Sequence, residues 1–393
     1  MSRIAVLGSF ADSLIIFRGL LLERLRAQGH EVMALAPEAP PRIREALEDM
    51  GVVFTEVPLE RTGLNPFQDL ETRRFLTDEF ERFKPHLLLS YTIKPVIYGS
   101  MAARKAGVPA IYSMITGAGF GFGGSRKEKA LSPVIRRMYR SALSANRAVF
   151  FQNPDDRALF LRNGLVRPEQ VVLIPGSGVD LEAFTPVPFP KDPPLVFLLI
   201  ARLLREKGIE EYADAARLLR SRYSDVRFVL VGPLDDHPDG ITREEVRKWE
   251  VEGVLEYKGH QEDVRPFIAD ASVYVLPSYR EGTPRSVLEA MAMGRPIITT
   301  DVPGCRETVR PWVNGFLVPP RDPLGLALAM ERFLRRPELV PAMGRRSREE
   351  AEARFDVHVV NDIILDTLGL ADEGPNGQSN GPPHALSAGG DAA

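Results

Sequence analysis

The sequence predicts a doubly wound α/β protein in two domains, and three observations carry that prediction. Short apolar runs rich in β-formers alternate with amphipathic helical stretches as far as about residue 368. A segment with prolines at 186, 188, 190, 193 and 194 divides these runs into two series and marks a linker. With 393 residues, 44% of them hydrophobic, the chain can bury two cores.

The first series opens with Ile4–Gly8, an apolar run too short for the core of a signal peptide. Strands are then predicted over Glu31–Ala36, Val52–Val57, His86–Tyr91, Ala110–Ile115, Ala148–Gln152 and Val171–Ile174, with helical stretches between them. Past the linker come Leu195–Ala201, Val226–Val231, Leu255–Lys258, Val273–Leu276, Pro296–Thr300 and Gly315–Val318. Phe355 to Leu368 is apolar at helical spacing and predicts a last helix. From Ala371 onward Gly, Pro, Asn, Ser and Ala dominate without apolar period, the composition of a disordered tail. The domains expected are residues 1–186 and 187–350, followed by a helix at 351–370 and the tail at 371–393.

Two patterns at predicted strand ends carry chemistry. Glu281 and Glu289 flank the start of a predicted helix just after the Val273–Leu276 strand, with Thr283 as expected N-cap and Pro284 as first helical residue. Open α/β sheets bind ligands at this carboxyl edge, and two carboxylates there suit the vicinal hydroxyls of a ribose or a sugar. The Leu195–Ala201 strand is followed by Arg202, Arg205, Glu206, Lys207 and Gly208, then by a helical pattern from Ile209. Arg202 and Lys207, cations beside the amides of a starting helix, suit a diphosphate. Together the two patterns point to a nucleotide-sugar site.

These motifs resemble the large retaining glycosyltransferase family numbered four, of GT-B fold. The runs Met114–Gly121 and Tyr91–Gly99 resemble a bacterial subgroup that passes N-acetylhexosamines and related sugars from UDP to undecaprenyl-diphosphate-linked saccharides. The resemblance spans residues 1 to 368 and implies two facing Rossmann-like domains, with the last helix crossing back to the first. It assigns Arg202 and Lys207 to the diphosphate, Glu289 to the ribose, Glu281 to the donor sugar, and the Gly282 and Thr283 amides to further donor contacts. His260, after the strand ending at Lys258, marks either a backbone reader of the uracil or a surface residue. Arg306 in the next edge loop is either structural or functional.

On the acceptor side, Gly8 serves either close approach of a ligand's phosphates or tight packing. Arg18, further along, is a candidate phosphate or acceptor contact. Family members carry a histidine near the end of the strand that here closes on Thr116-Gly117, so Thr116 is expected to position the acceptor rather than act as a base. Retention in the family is explained by front-face attack, the departing phosphate taking the acceptor's proton. Tyr91 and Lys94 are either acceptor contacts or structural. Gly117, Gly119, Gly121, Gly123 and Gly124, interleaved with Phe120 and Phe122, suggest a mobile acceptor lip. The basic amphipathic segment 126–143, with Arg126, Lys127, Lys129, Arg136, Arg137 and Arg140 among Leu131, Val134, Ile135, Met138 and Leu143, suits an anionic membrane surface; its alternative is a solvated helix face.

Composition narrows the rest. A net charge of −3 argues against a general nucleic-acid binder. The single cysteine, Cys305, permits no internal disulfide and reads as a small packed residue. There is no HxxxH, cysteine cluster or Asp-x-Asp triplet, so neither metal nor cofactor is expected; both Asp-Asp pairs fall in loop or helix-start contexts. No apolar segment is long enough to span a bilayer. The expected partners are a UDP-sugar, a polyprenyl-diphosphate-linked saccharide and the inner face of the plasma membrane, met from the cytoplasm. The competing readings are a UDP-sugar 2-epimerase-like isomerase, a transferase to a soluble acceptor, and a nucleotide-sugar binder without activity.

Overall fold

A computed structural model describes residues 1–60, 66–118, 126–189 and 194–371, without the side chains of 66 and 126–131. The expected acceptor lip at 119–124 and the expected disordered tail from 372 lie outside the described residues, as do the side chains of Arg126, Lys127, Lys129 and Leu131.

Thirteen strands form two parallel sheets among the described residues. The first holds β1 (Arg3–Leu7), β2 (Glu31–Ala36), β3 (Val53–Glu56), β4 (Leu87–Tyr91), β5 (Ala110–Ile115), β6 (Ala148–Phe151) and β7 (Val171–Leu173), in the order β3-β2-β1-β4-β5-β6-β7. The second holds β8 (Leu195–Ile200), β9 (Val226–Val231), β10 (Glu256–Tyr257), β11 (Val273–Leu276), β12 (Ile297–Thr300) and β13 (Gly315–Val318), in the order β10-β9-β8-β11-β12-β13. Each of the thirteen overlaps a strand predicted from the sequence.

The central strands read as unbroken apolar runs because helices bury both their faces. β1, β4 and β5 are buried almost throughout, and one apolar layer lies on each side of the first sheet. The second sheet is sandwiched likewise. Strand order reverses between β1 and β4 and between β8 and β11, and at such switch points the loops splay apart and leave a crevice.

The last helix, Val357–Leu368, leaves the second domain and packs on the first. Val360, Ile364, Leu365 and Leu368 join the layer containing Leu14, Leu21, Leu22 and Leu25, and Arg24 pairs with Asp362 on its surface. The two chain crossings between domains are bonded to each other: Val179 donates to the Phe355 carbonyl at 2.8 Å and Val357 donates to the Val179 carbonyl at 3.0 Å. Side by side, they form one hinge.

Candidate functional site

The two switch-point crevices face each other. The loops after β8 and β11, the second domain's switch-point strands, carry Arg202–Gly208 and Ser278–Thr283. They are tied together by the Tyr279 amide, which donates to the Glu206 carbonyl at 2.8 Å. Gly208 makes the turn possible. Its φ is +71°, and a side chain would drive into the Pro277 carbonyl.

That turn brings Lys207 against Glu281, 74 residues away, with Nζ donating to Oε1 at 2.6 Å. Ser278 Oγ donates to the same oxygen at 2.8 Å. Among the described residues the second oxygen, Oε2, takes no hydrogen bond and keeps its capacity to accept one. Burial alone would lower the Lys207 pKa, but Glu281 outweighs it and the ammonium is held above its ordinary value. Arg202 is exposed and donates from Nη1 to Asp235 at 2.8 Å, near enough to Lys207 for the two cations to repel. Glu289 is nearly buried and accepts from Arg285 Nε at 2.8 Å; burial raises its pKa, with Arg285 opposing.

One donor-side expectation, the N-cap, needs correction. The helix is Arg285–Ala292 and Pro284 occupies the N-cap, so Thr283 caps nothing. Its hydroxyl instead donates across the cleft to the Gln152 carbonyl at 3.0 Å. Gly282 is packed so closely against the Thr116 carbonyl that no side chain would fit, and its own carbonyl accepts from Asn153 Nδ2 at 2.9 Å. Its amide and that of Thr283 take no partner among the described residues. His260 is exposed past the end of β10, its side chain in no hydrogen bond among the described residues.

On the first domain, Gly8 meets the packing requirement, since a Cβ would run into the Tyr91 hydroxyl. Tyr91 Oη lies 2.7 Å from Ser13 Oγ, and burial pushes its pKa up to about 12. Thr116 is half-buried and touches the second domain through its carbonyl. Lys94 is an ion-pair partner: its Nζ donates to Asp69 Oδ1 at 3.0 Å, both side chains largely buried, which leaves it little to offer an acceptor. Arg18 is 1% exposed and lies over the Tyr91 ring.

The basic helix is revised too. Its apolar residues Ile135, Tyr139 and Leu143 pack in the core, and Arg140 donates to the Gly164 and Asn163 carbonyls at 3.0 and 2.9 Å. Among the described side chains of the segment, Pro133, Val134 and outward charges such as Arg137 remain for a surface. Cys305 is buried and its thiol is pushed up to about 12, mainly by burial, as suits a packing residue.

Sequence reasoning passed over the residues that hold the cleft together. Asp156 is 0% exposed and accepts from Arg280, from the Ala118 amide at 3.1 Å and from Asn153 Nδ2 at 3.0 Å. Its neighbour Asp155 accepts from Arg306 at 2.9 Å, and Asp235 holds Arg202. Both Asp-Asp pairs thus serve arginines of the site. The signal was Asn153-Pro154 after a strand, an N-cap and first-turn proline at a carboxyl edge.

Residues 18–176 match the family model of the glycosyl transferase 4-like domain, and residues 194–336 that of glycosyl transferases group 1. The chain is 25% identical over 371 residues to the N,N'-diacetylbacillosaminyl-diphospho-undecaprenol alpha-1,3-N-acetylgalactosaminyltransferase of Campylobacter jejuni, covering 91% of this chain and 96% of that one. It is also 25% identical over 317 residues to the UDP-Gal:alpha-D-GlcNAc-diphosphoundecaprenol alpha-1,3-galactosyltransferase of Escherichia coli, covering 76% and 79%. Sucrose-phosphate synthase from Thermosynechococcus elongatus has the same fold, with a TM-score of 0.77 at 23% identity over 94% of this chain and 98% of that one. Anabaena Alr3699/HepE, solved with UDP and glucose, gives 0.75 at 17% identity over 94% and 100%.

Proposed function

The chain belongs to the group 1 glycosyl transferases, with a glycosyl transferase 4-like domain ahead of the group 1 domain and the GT-B fold, and from that premise we propose that it moves an N-acetylhexosamine from UDP to a polyprenyl-diphosphate-linked saccharide, with retention and without a metal. The observation that carries this reading is the Lys207–Glu281 pair at 2.6 Å, set at the second sheet's switch point with its loop pressed against Thr116 of the first domain. A cation for the leaving diphosphate and a carboxylate for the sugar stand together where the two domains meet.

In the reaction proposed, the bond from the anomeric carbon to the phosphate oxygen breaks as the acceptor hydroxyl attacks from the same face. Its proton passes to the departing phosphate oxygen. Lys207 and Arg202 stabilise charge that grows on UDP, and of the two the largely buried Lys207 acts more strongly than the exposed Arg202. Glu281 orients the sugar and Glu289 the ribose hydroxyls. The Campylobacter and Escherichia relatives, whose names specify diphospho-undecaprenol substrates, support the acceptor class, and the UDP in HepE supports the donor. Attachment to an anionic membrane would rest on charge, with Arg137 among the outward cations, because the helix's apolar face is spent on the core.

The test is a panel of UDP-, GDP- and ADP-sugars in EDTA, each with and without a polyprenyl-diphosphate-saccharide, following nucleotide release and product mass. Lipid-dependent UDP release with a product of retained anomeric configuration is expected. Interconversion of UDP-sugars without acceptor would replace the reading by an isomerase, and turnover on a soluble sugar alone would discard the lipid acceptor.

A further inference from the structure

A guanidinium keeps its charge in any protein interior, so a buried one needs a counter-ion or a full set of acceptors. Arg18 has neither. Nη1 donates to the Phe17 carbonyl at 3.1 Å, Nη2 reaches the thioether sulfur of Met114 at 2.6 Å, and Nε has no partner. Thioether sulfur is a weak acceptor. The carbon of the guanidinium lies 5.3 Å from the centre of the Tyr91 ring. Among the described residues no carboxylate pairs with it. Its pKa is lowered to about 10, chiefly by burial, with Tyr91 opposing the shift and the charged neighbour Arg285 adding to it rather than balancing it.

Tyr91 and Met114 stand at the carboxyl ends of β4 and β5, so the guanidinium sits on the edge of the first sheet that faces the cleft. Phe17 and Gly19, its chain neighbours, line a groove shared with Ser177, Asp180 and Arg285. Asp180 is already engaged there by the Glu182 and Ala183 amides, both at 2.9 Å. Arg285 comes from the second domain, its guanidinium 5.5 Å from the centre of the Phe17 ring and its Nε on Glu289. Of the two guanidinia only Arg285 has a carboxylate, Glu289, and that one is on the donor side. The diphosphate of the donor has its own cations in Lys207 and Arg202, on the other sheet.

We infer that Arg18, with Arg285, forms a second anion subsite, which takes a phosphate of the acceptor, the group joining lipid to saccharide. This rests on the acceptor class proposed above. Arg18 would supply a bidentate fork to the phosphate, and Arg285 would close over it as the domains meet.

The test uses the full chain with Arg18→Met, a side chain of similar length without charge. Thermal unfolding is followed with UDP saturating in every arm, with and without inorganic pyrophosphate as probe. An unbalanced buried charge costs stability, so Arg18→Met is expected to unfold at a higher temperature than the wild type when pyrophosphate is absent. Pyrophosphate should raise the wild-type midpoint and leave that of Arg18→Met unchanged. The KM for a polyprenyl-diphosphate-saccharide should rise at least about tenfold in the variant with the KM for UDP-sugar unchanged. A variant that unfolds earlier than the wild type, or that keeps the pyrophosphate shift, overturns the subsite and makes Arg18 a structural residue. Loss of the shift together with turnover on soluble acceptors alone upholds the anion subsite and overturns the lipid acceptor instead.

Discussion

Glu281 holds Lys207 charged. A lysine whose folded pKa is raised adds stability that is complete below its unfolded value and lost only as pH climbs through the raised one, so the pair persists across the neutral range. Lys207→Ala and Glu281→Gln are each expected to lower kcat by about two to three orders of magnitude with the circular dichroism of the native fold retained. Near-native turnover in both would remove the pair from the site. Glu289 follows the same linkage, in the carboxylate range. Its raised pKa means the folded state holds the proton more tightly than the unfolded chain, so its contribution is full below the ordinary carboxylate value and declines as pH rises through the raised one. Glu289→Gln should therefore flatten the stability profile above about pH 4.5 and unfold later than the wild type at neutral pH. It should also weaken UDP-sugar binding about tenfold, measurable by calorimetry. The placement of Arg202, Lys207 and Glu281 in the loops after β8 and β11, and of Glu289 in the helix that follows, was legible because the strand pattern puts those segments at the sheet's carboxyl edge. Asp156 was not, because its chief partner Arg280 is 124 residues away and belongs to the other domain.

At the scale of elements, the thirteen strands were legible because apolar runs buried on both faces announce themselves. The start of the Arg285–Ala292 helix was not. Thr283 looked like an N-cap by type, but its hydroxyl found a partner in Gln152, and tertiary contact displaced the local preference. The β8 loop depends on its glycine: Gly208→Ala combines a left-handed backbone with a collision against Pro277. A loss of about 1–3 kcal/mol is expected, together with a weaker affinity for UDP, since Lys207 rides on the same turn. Unchanged denaturant midpoint and UDP affinity would contradict that. The basic helix teaches a related lesson, because its apolar stripe reads equally as a membrane face or a core face, and packing chose the core. Arg137→Glu should still reduce binding to anionic vesicles in a salt-sensitive way if charge alone holds the protein there. Binding indifferent to both the substitution and salt would return the helix to an ordinary solvated face.

Over the whole molecule, two domains share one hinge and one polar clasp. Among the described residues no helix is long and apolar enough to cross a membrane. The hinge is the Val179–Phe355 crossing, and the clasp is Asp156 with Arg280, reinforced by Asn153 on the Gly282 carbonyl and Thr283 on that of Gln152. Polar contacts between domains open more readily than apolar ones, and this clasp grips the residues on either side of Glu281. Closing the cleft and setting the Glu281 loop are therefore one event. Asp156→Asn removes the charge that Arg280 seeks while keeping the size of the side chain. Its kcat should fall by about tenfold or more, the KM for UDP-sugar should change little, and the radius of gyration of the UDP-bound protein should increase. Arg280→Met should do the same. The double variant should be no worse than either single change, because both remove one interaction. Additive losses in the double variant, or a scattering profile unaltered by either change, would mean that the clasp is a packing detail and that closure is set elsewhere. A non-additive result would tie domain closure to Glu281, the residue proposed to hold the sugar.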